Sequence, residues 1–185
     1  MNSTQVRAFN SVQIAAMHTD QVAAITTSAI GGLAVTSLRG LSTADIYALS
    51  SAQVAALNTT QVANLTTQQV QAIGTDDVAA LTSDQVRTLS IAQVRALTTE
   101  QIVAISTDQA GVLTTTQVAA LTTAQVAAIE TADIAAMGTT QMRALTSAQV
   151  AALTTDQVAA IETSDIAAIG TQALQSLRKI GRAHV

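Results

Sequence analysis

Large apolar residues recur along this chain at alternating intervals of five and three, so the pattern closes every eight residues. The first apolar position of each octad, a, is residue 1, 9, 17 and so on to 177, and all 23 are Met, Phe, Ile or Leu. The second, f, is residue 6, 14, 22 and so on to 174; all 22 are apolar, Ala110 being the smallest. The polar positions are almost as regular. Position c is Ser or Thr in 20 of 22 octads, e is Gln in 15 and Asp in four, and h is Ala in 16. The pattern is clearest from Leu113 to Glu162 (LTTTQVAA, LTTAQVAA, IETADIAA, MGTTQMRA, LTSAQVAA, LTTDQVAA, IE), and it runs from Met1 without an insertion or deletion. A fixed short period of this kind is the signature of a solenoid or array.

The period decides which element the octad forms. In one continuous helix, eight residues advance about 80° beyond two full turns, so the a and f residues would wind around the axis and never make one stripe. A strand is favoured by Thr and Val, yet a and f are an odd number of residues apart and would face opposite sides of it. A separate short helix in each octad satisfies both positions. In Leu121–Ile129, Thr122 at b can cap the helix and Gln125, three residues on, can reach back to the cap N–H. Leu121 and Val126 have the spacing of a hydrophobic staple across that cap. Ala127 and Ala128 supply strong helix formers. Charge placement agrees independently. All 12 acids lie at b, d or e, and the five arginines of the repeats (Arg7, Arg39, Arg87, Arg95, Arg143) all lie at g. The helix dipole favours acids first and bases last.

The sequence thus predicts an all-α solenoid of one-to-two-turn helices, one per octad, forming a single repeat domain over residues 1–177. No octad buries enough to stand alone, so neighbouring octads must stack. Ile25–Gly40 (ITTSAIGG, LAVTSLRG) lacks Gln at e and carries Gly31, Gly32 and Gly40, which predicts an irregular coil there. Four pairs lie 32 residues apart: Asp45 and Asp77, Glu130 and Glu162, Asp133 and Asp165, Gly138 and Gly170. They suggest a turn of four octads, in which deleting 32 residues would disturb stacking less than deleting eight. Residues 178–185 (RKIGRAHV) leave the pattern, with Arg182 where f would fall. Ile180–Val185 reads like the translation of a sequencing adapter, which would make this chain a fragment of a longer one; a polar cap on the array is the alternative.

Composition then narrows the function. The net charge of −4 opposes a polyanionic partner. There is no Cys for disulfide or thiolate chemistry, and no apolar run approaches a membrane span. His18 and His184 are the two histidines, and no nucleophile, base and acid can be assembled from motif spacing. Helix capping accounts for the many Ser and Thr. Asp45, Asp77, Asp133 and Asp165 share position e, and Glu130 and Glu162 pair with two of them. Divalent-cation binding is one reading of these acids; favourable negative charge at a helix N-terminus is the simpler one. No catalytic, cofactor-binding or metal-binding residue is therefore assigned.

Two resemblances bear on function. Leu97–Ile105, LTTEQIVAI, resembles the opening helix of TAL-effector DNA-binding repeats, L-T-P-E-Q-V-V-A-I, and implies an array that reads DNA. The likeness covers nine residues. This chain has no Pro after the Thr, no second helix per repeat and no Gly-Gly-Lys loop, Gly31-Gly32 being followed by Leu33. From Met1 to Leu177 the composition is similar to the Thr/Ala/Gln-rich octapeptide regions of large bacterial secreted or surface proteins of adhesin-like type. That implies an extracellular spacer or stalk, non-enzymatic and without cofactors, acting on a protein or surface partner. End-to-end self-association through uncapped solenoid ends is a further expectation. The regular Thr array offers ice or crystalline-surface binding as a third reading.

Overall fold

In the computed structural model the described residues, 3–170, form 21 helices of four to six residues, one per octad, with no strand among them. Each helix occupies c to f, g or h of its octad, as in Ser51–Ala55 or Thr123–Ala128. The corner between helices needs only two extended residues. Leu121 ends one helix at φ −55°, ψ 141°, and Thr122 caps the next at φ −73°, ψ 160°. No described residue has positive φ, so these corners need no glycine.

The sequence-predicted cap forms as drawn. The Thr122 N–H donates to Gln125 Oε1 at 2.8 Å, and the Gln125 N–H donates to Thr122 Oγ1 at 3.1 Å. Leu121 and Val126, the staple pair, are both buried. The same reciprocal box recurs from helix Ser11–Ala15 to helix Thr155–Ala160 wherever b is Ser, Thr or Asn and e is Gln. A helix of five residues nucleates poorly in isolation. Here the box fixes its first turn and the next corner fixes its last.

The chain divides into two compact units, Met1–Leu97 and Thr98–Val185. Both are α solenoids with one packing rule: each helix lies against the helix three octads further on. In the first unit the ladder starts with Ser3–Arg7 against Thr27–Ile30 and ends with Thr67–Gln71 against Ile91–Ala96. In the second it runs from Thr99–Val103 against Thr123–Ala128 to Thr139–Ala144 against Thr163–Ala168. The a and f residues form the core. Phe9, Met17 and Ile105 at a, and Val158 and Ile166 at f, are partly exposed; the other described a and f residues are buried.

The turn is shorter than the four octads that the 32-residue echo suggests. Helices stack three octads apart, and the hydrogen bonds between coils join residues 25 to 31 apart. Position e reports the same length. Gln5, Gln13 and Gln21 are exposed, whereas every described e residue from Ala29 onward is buried. The first coil has nothing beneath it, and the second begins near residue 29. The 32-residue pairs therefore do not stack on one another.

Ile25–Gly40 keeps the octad register but has the two shortest helices, Thr27–Ile30 and Val35–Leu38, each of four residues. Close backbone approach explains Gly31 and Gly40. A Cβ on Gly31 would stand 2.9 Å from the Ala56 carbonyl oxygen, and one on Gly40 would collide with the Ser11 carbonyl oxygen. The region predicted as an irregular coil is thus a tight contact between successive coils. The expected tail, 178–185, lies outside the described residues.

Because the packing rule is relative, removing whole octads rebuilds the same ladder. Deleting Leu121–Ala128 should leave a helical protein that melts above the Leu121–Ala152 deletion, which loses more nearest-neighbour interfaces. This order reverses the one a four-octad turn would give. Deleting Ala127 alone, which throws one corner out of phase, should melt below the eight-residue deletion. Circular dichroism melts compare the three, and a 32-residue deletion more stable than the eight-residue one would contradict the packing rule.

Candidate functional site

The recurring polar site of this molecule is the glutamine at e. Its side chain sits at the third helical position, pointing into the contact between coils, and from Gln53 onward it is 1–6% exposed. A buried primary amide must satisfy both its oxygen and its nitrogen. The oxygen accepts from the N–H of its own N-cap, and the nitrogen forks to two backbone carbonyls on the coil beneath. Gln85 shows the full set. Oε1 accepts from the Thr82 N–H at 2.7 Å, while Nε2 donates to Val54 O at 3.0 Å and Leu57 O at 2.7 Å.

Those carbonyls belong to an f residue and the following a residue, on either side of a corner. Both belong to a helix C-terminus, and the f carbonyl also accepts from the a N–H three residues on, as Val54 O does from Leu57 at 3.2 Å. The fork repeats at Gln61 (Ile30 and Leu33), Gln69 (Leu38 and Leu41) and Gln93 (Val62 and Leu65) in the first unit. In the second unit it repeats at Gln141 (Ala110 and Leu113), Gln149 (Val118 and Leu121) and Gln157 (Val126 and Ile129). One side chain thus caps its own helix at the N-terminus and another helix at the C-terminus. Ser37 at e keeps half of the function, its hydroxyl donating to Phe9 O at 2.6 Å.

The capping half of this arrangement is visible in the sequence, and the donor half is not. A signal for it exists: the capping box accepts Glu as readily as Gln, yet none of the 22 e positions is Glu. The position demands an N–H donor as well as an acceptor.

The four aspartates at e keep the acceptor and lack the donor. Asp45 Oδ2 accepts from the Ser42 N–H at 2.9 Å and the Ser42 hydroxyl at 2.7 Å. Asp77 and Asp165 each accept at 2.6 Å from a hydroxyl 26 residues earlier, those of Ser51 and Thr139. Asp133 is buried beside Thr107, also 26 residues back, and its Oδ2 has no hydrogen-bond partner. Burial raises the Asp133 carboxyl above the usual range, the Thr107 hydroxyl opposes this, and the neighbouring Glu130 charge adds to it. Glu130 and Glu162 occupy N-cap positions without making a side-chain cap bond. Among the described residues, no group of three or more His, Cys, Asp or Glu is placed to hold a metal ion.

The other candidates disperse. His18 is an exposed N-cap whose N–H donates to Gln21 Oε1 at 2.9 Å, and His184 lies outside the described residues. Glu100, in the LTTEQIVAI segment, has its carboxyl lowered by its own backbone N–H and the Thr98 hydroxyl, as suits an acid at a helix start. Thr98 and Gln101 make the same box as every other octad. Arg39 at g donates from Nε to Asn64 O at 3.2 Å, serving a helix C-terminus on the next coil. An open groove of about 510 Å³ borders Arg7, the Gly31–Val35 corner and Asn58–Gln61. Asn58 Nδ2 already bonds Gly31 O there, at 3.3 Å. No described helix is long and apolar enough to cross a membrane.

With this geometry in place, the comparisons can be read. A family model described as the ALTTAQ repeat matches five segments: residues 1–27, 30–67, 63–91, 89–123 and 126–160. No curated protein and no solved structure matches the chain.

The dual role of glutamine gives a direct test. Gln85→Glu keeps the cap acceptor but removes the fork and sets a carboxylate against two carbonyls. It should cost roughly 2–4 kcal/mol, from the lost buried fork and the carboxylate set against those carbonyls. Gln13→Glu, on the first coil where the side chain is exposed, should be nearly neutral. Urea unfolding of both variants checks this, and equal effects would show that glutamine serves only as a cap.

Proposed function

The chain belongs to the ALTTAQ repeat family, and from that premise we propose that it is a non-enzymatic structural solenoid, a spacer or stalk segment of a larger surface or secreted protein. The observation that carries this reading is how fully the recurring polar side chains are occupied with one another. The e glutamines and the hydroxyls at b, which would be the obvious resources for chemistry or ligand contact, are spent on caps and on the fork between coils. What faces outward is mainly Ser, Thr, Ala and scattered acids at b, c, d and g. Such a surface is polar, weakly charged and alike from octad to octad, which suits holding a distance more than gripping one ligand. Its partner, on this reading, is a protein or surface met at the ends of the array.

The DNA-array reading has less support. The acidic balance of the chain opposes it, and Arg39 is engaged by Asn64 O. The ice-surface reading is weakened because the Thr hydroxyls at b accept backbone N–H groups.

A spacer should give no saturable response to small molecules. Thermal-shift measurements with nucleotides, sugars and divalent cations should leave the melting temperature unchanged. Gel shifts at low salt, where phosphate contacts are strongest, should show free DNA at micromolar protein. A saturable shift with one small molecule, or a retarded DNA band, would overturn the proposal.

A further inference from the structure

We propose that Asp133 is a proton-operated rung of the solenoid, whose carboxylic acid form donates to the corner carbonyls beneath it and whose carboxylate form cannot. Its counterparts in the other octads set the pattern. Seven glutamines at e (Gln61, Gln69, Gln85, Gln93, Gln141, Gln149 and Gln157) donate to the carbonyls 31 and 28 residues earlier. Ser37 donates to the carbonyl 28 residues earlier. By the same register, the acceptors under Asp133 are Ile102 O and Ile105 O, the first of which, like its counterparts in the other rungs, also accepts from the N–H three residues on. A carboxylate has no hydrogen to offer them, and here Oδ2 is buried with no partner, on a residue 3% exposed. It is the one buried side-chain oxygen or nitrogen of the described residues left so. A single proton on Oδ2 would turn it from an orphaned acceptor into the donor that this position carries in its glutamine counterparts.

Nothing around the site offers a positive charge instead. Helix Thr131–Ala136, which carries Asp133, packs against Thr107–Gly111 and Thr155–Ala160. The charged groups on those helices are Asp108 and Asp156, and Glu130 caps Asp133's own helix. All three are acids and none of these helices holds Lys or Arg, so each neighbouring charge favours the neutral form of Asp133. The upward direction of its carboxyl, set first by burial and reinforced by Glu130, agrees with this geometry.

The linkage sign follows. A carboxyl that binds its proton more tightly in the folded chain stabilises the fold most below the unfolded carboxyl's range. That contribution falls as pH rises from the ordinary Asp value up to the raised folded one. Glu100, its carboxyl lowered at a helix start, acts in the opposite sense. Asp133 therefore makes its own rung tighten on acidification.

The test compares the full chain with Asp133→Gln and Asp133→Asn, both of which supply a permanent N–H donor. At neutral pH each variant should melt about 2–4 °C above the parent, and the gap should close as the pH is lowered through the raised carboxyl range. Carbon NMR of the Asp133 carboxyl should show it titrating above the ordinary Asp range. A gap that is absent at neutral pH, or that persists unchanged in acid, would overturn the proposal. So would stabilisation of the parent by millimolar calcium at neutral pH that Asp133→Gln abolishes, because a cation would then fill the place assigned to the proton.

Discussion

Everything in this solenoid depends on how the carbonyls at each corner are satisfied. A helix of four to six residues is almost all terminus, so nearly every backbone group is one that a longer helix would have paired internally. The N-terminal half of the problem is solved within the octad by the box between b and e. The C-terminal half is solved only in part locally, where the a N–H bonds the f carbonyl, because the next octad begins after two extended residues. The amide of a glutamine from the following coil solves it, at 2.6–3.0 Å in the best-formed rungs. Stacking is therefore a requirement of the backbone as well as a means of burying Leu and Val.

This constraint orders the rest of the chain. It explains why e is Gln and never Glu, since both an acceptor and a donor are needed in one side chain. It explains why Gln13 and Gln21 can be exposed, having no coil beneath them. Ser37 shows that a hydroxyl meets part of the demand where the coils run closest, next to Gly40. The aspartates mark rungs where the donor is missing, and at Asp77 and Asp165 a hydroxyl from 26 residues earlier bridges the coils by donating to the carboxylate. The core beneath these rungs is simple by comparison. Its irregularity is a cavity of about 10 Å³ lined by Ala110, Leu113 and neighbouring apolar residues, where an alanine stands in the place of a larger f side chain.

Much of this was legible in the octad itself. The helix start and the staple from Leu121 to Val126 follow from spacing and propensity, because they are interactions within eight or nine residues. The turn length was not, because it is set by how far a corner of two extended residues swings each helix, and no single octad records that angle. The 32-residue echo of Asp133 and Asp165 pointed to a period that the coil does not have; the bonds between coils span 25 to 31 residues. The glutamine fork was half hidden for the same reason, since Gln85 and its acceptors Val54 and Leu57 are far apart in sequence. Position e nevertheless held a trace of it in the absence of Glu. The functional reading rests on the surface and on family membership.

The claim at the centre of this account is that side-chain amides at e bridge successive coils, and hydrogen exchange of those amides tests it most directly. The Nε2 hydrogens of Gln61, Gln69, Gln85 and Gln93 should exchange slowly, protected by their carbonyl partners one coil back. Those of Gln13 and Gln21, on the first coil, should exchange at the rate of a free glutamine. Uniformly fast exchange at all six would contradict the account, because the coils would then be held by apolar contact alone.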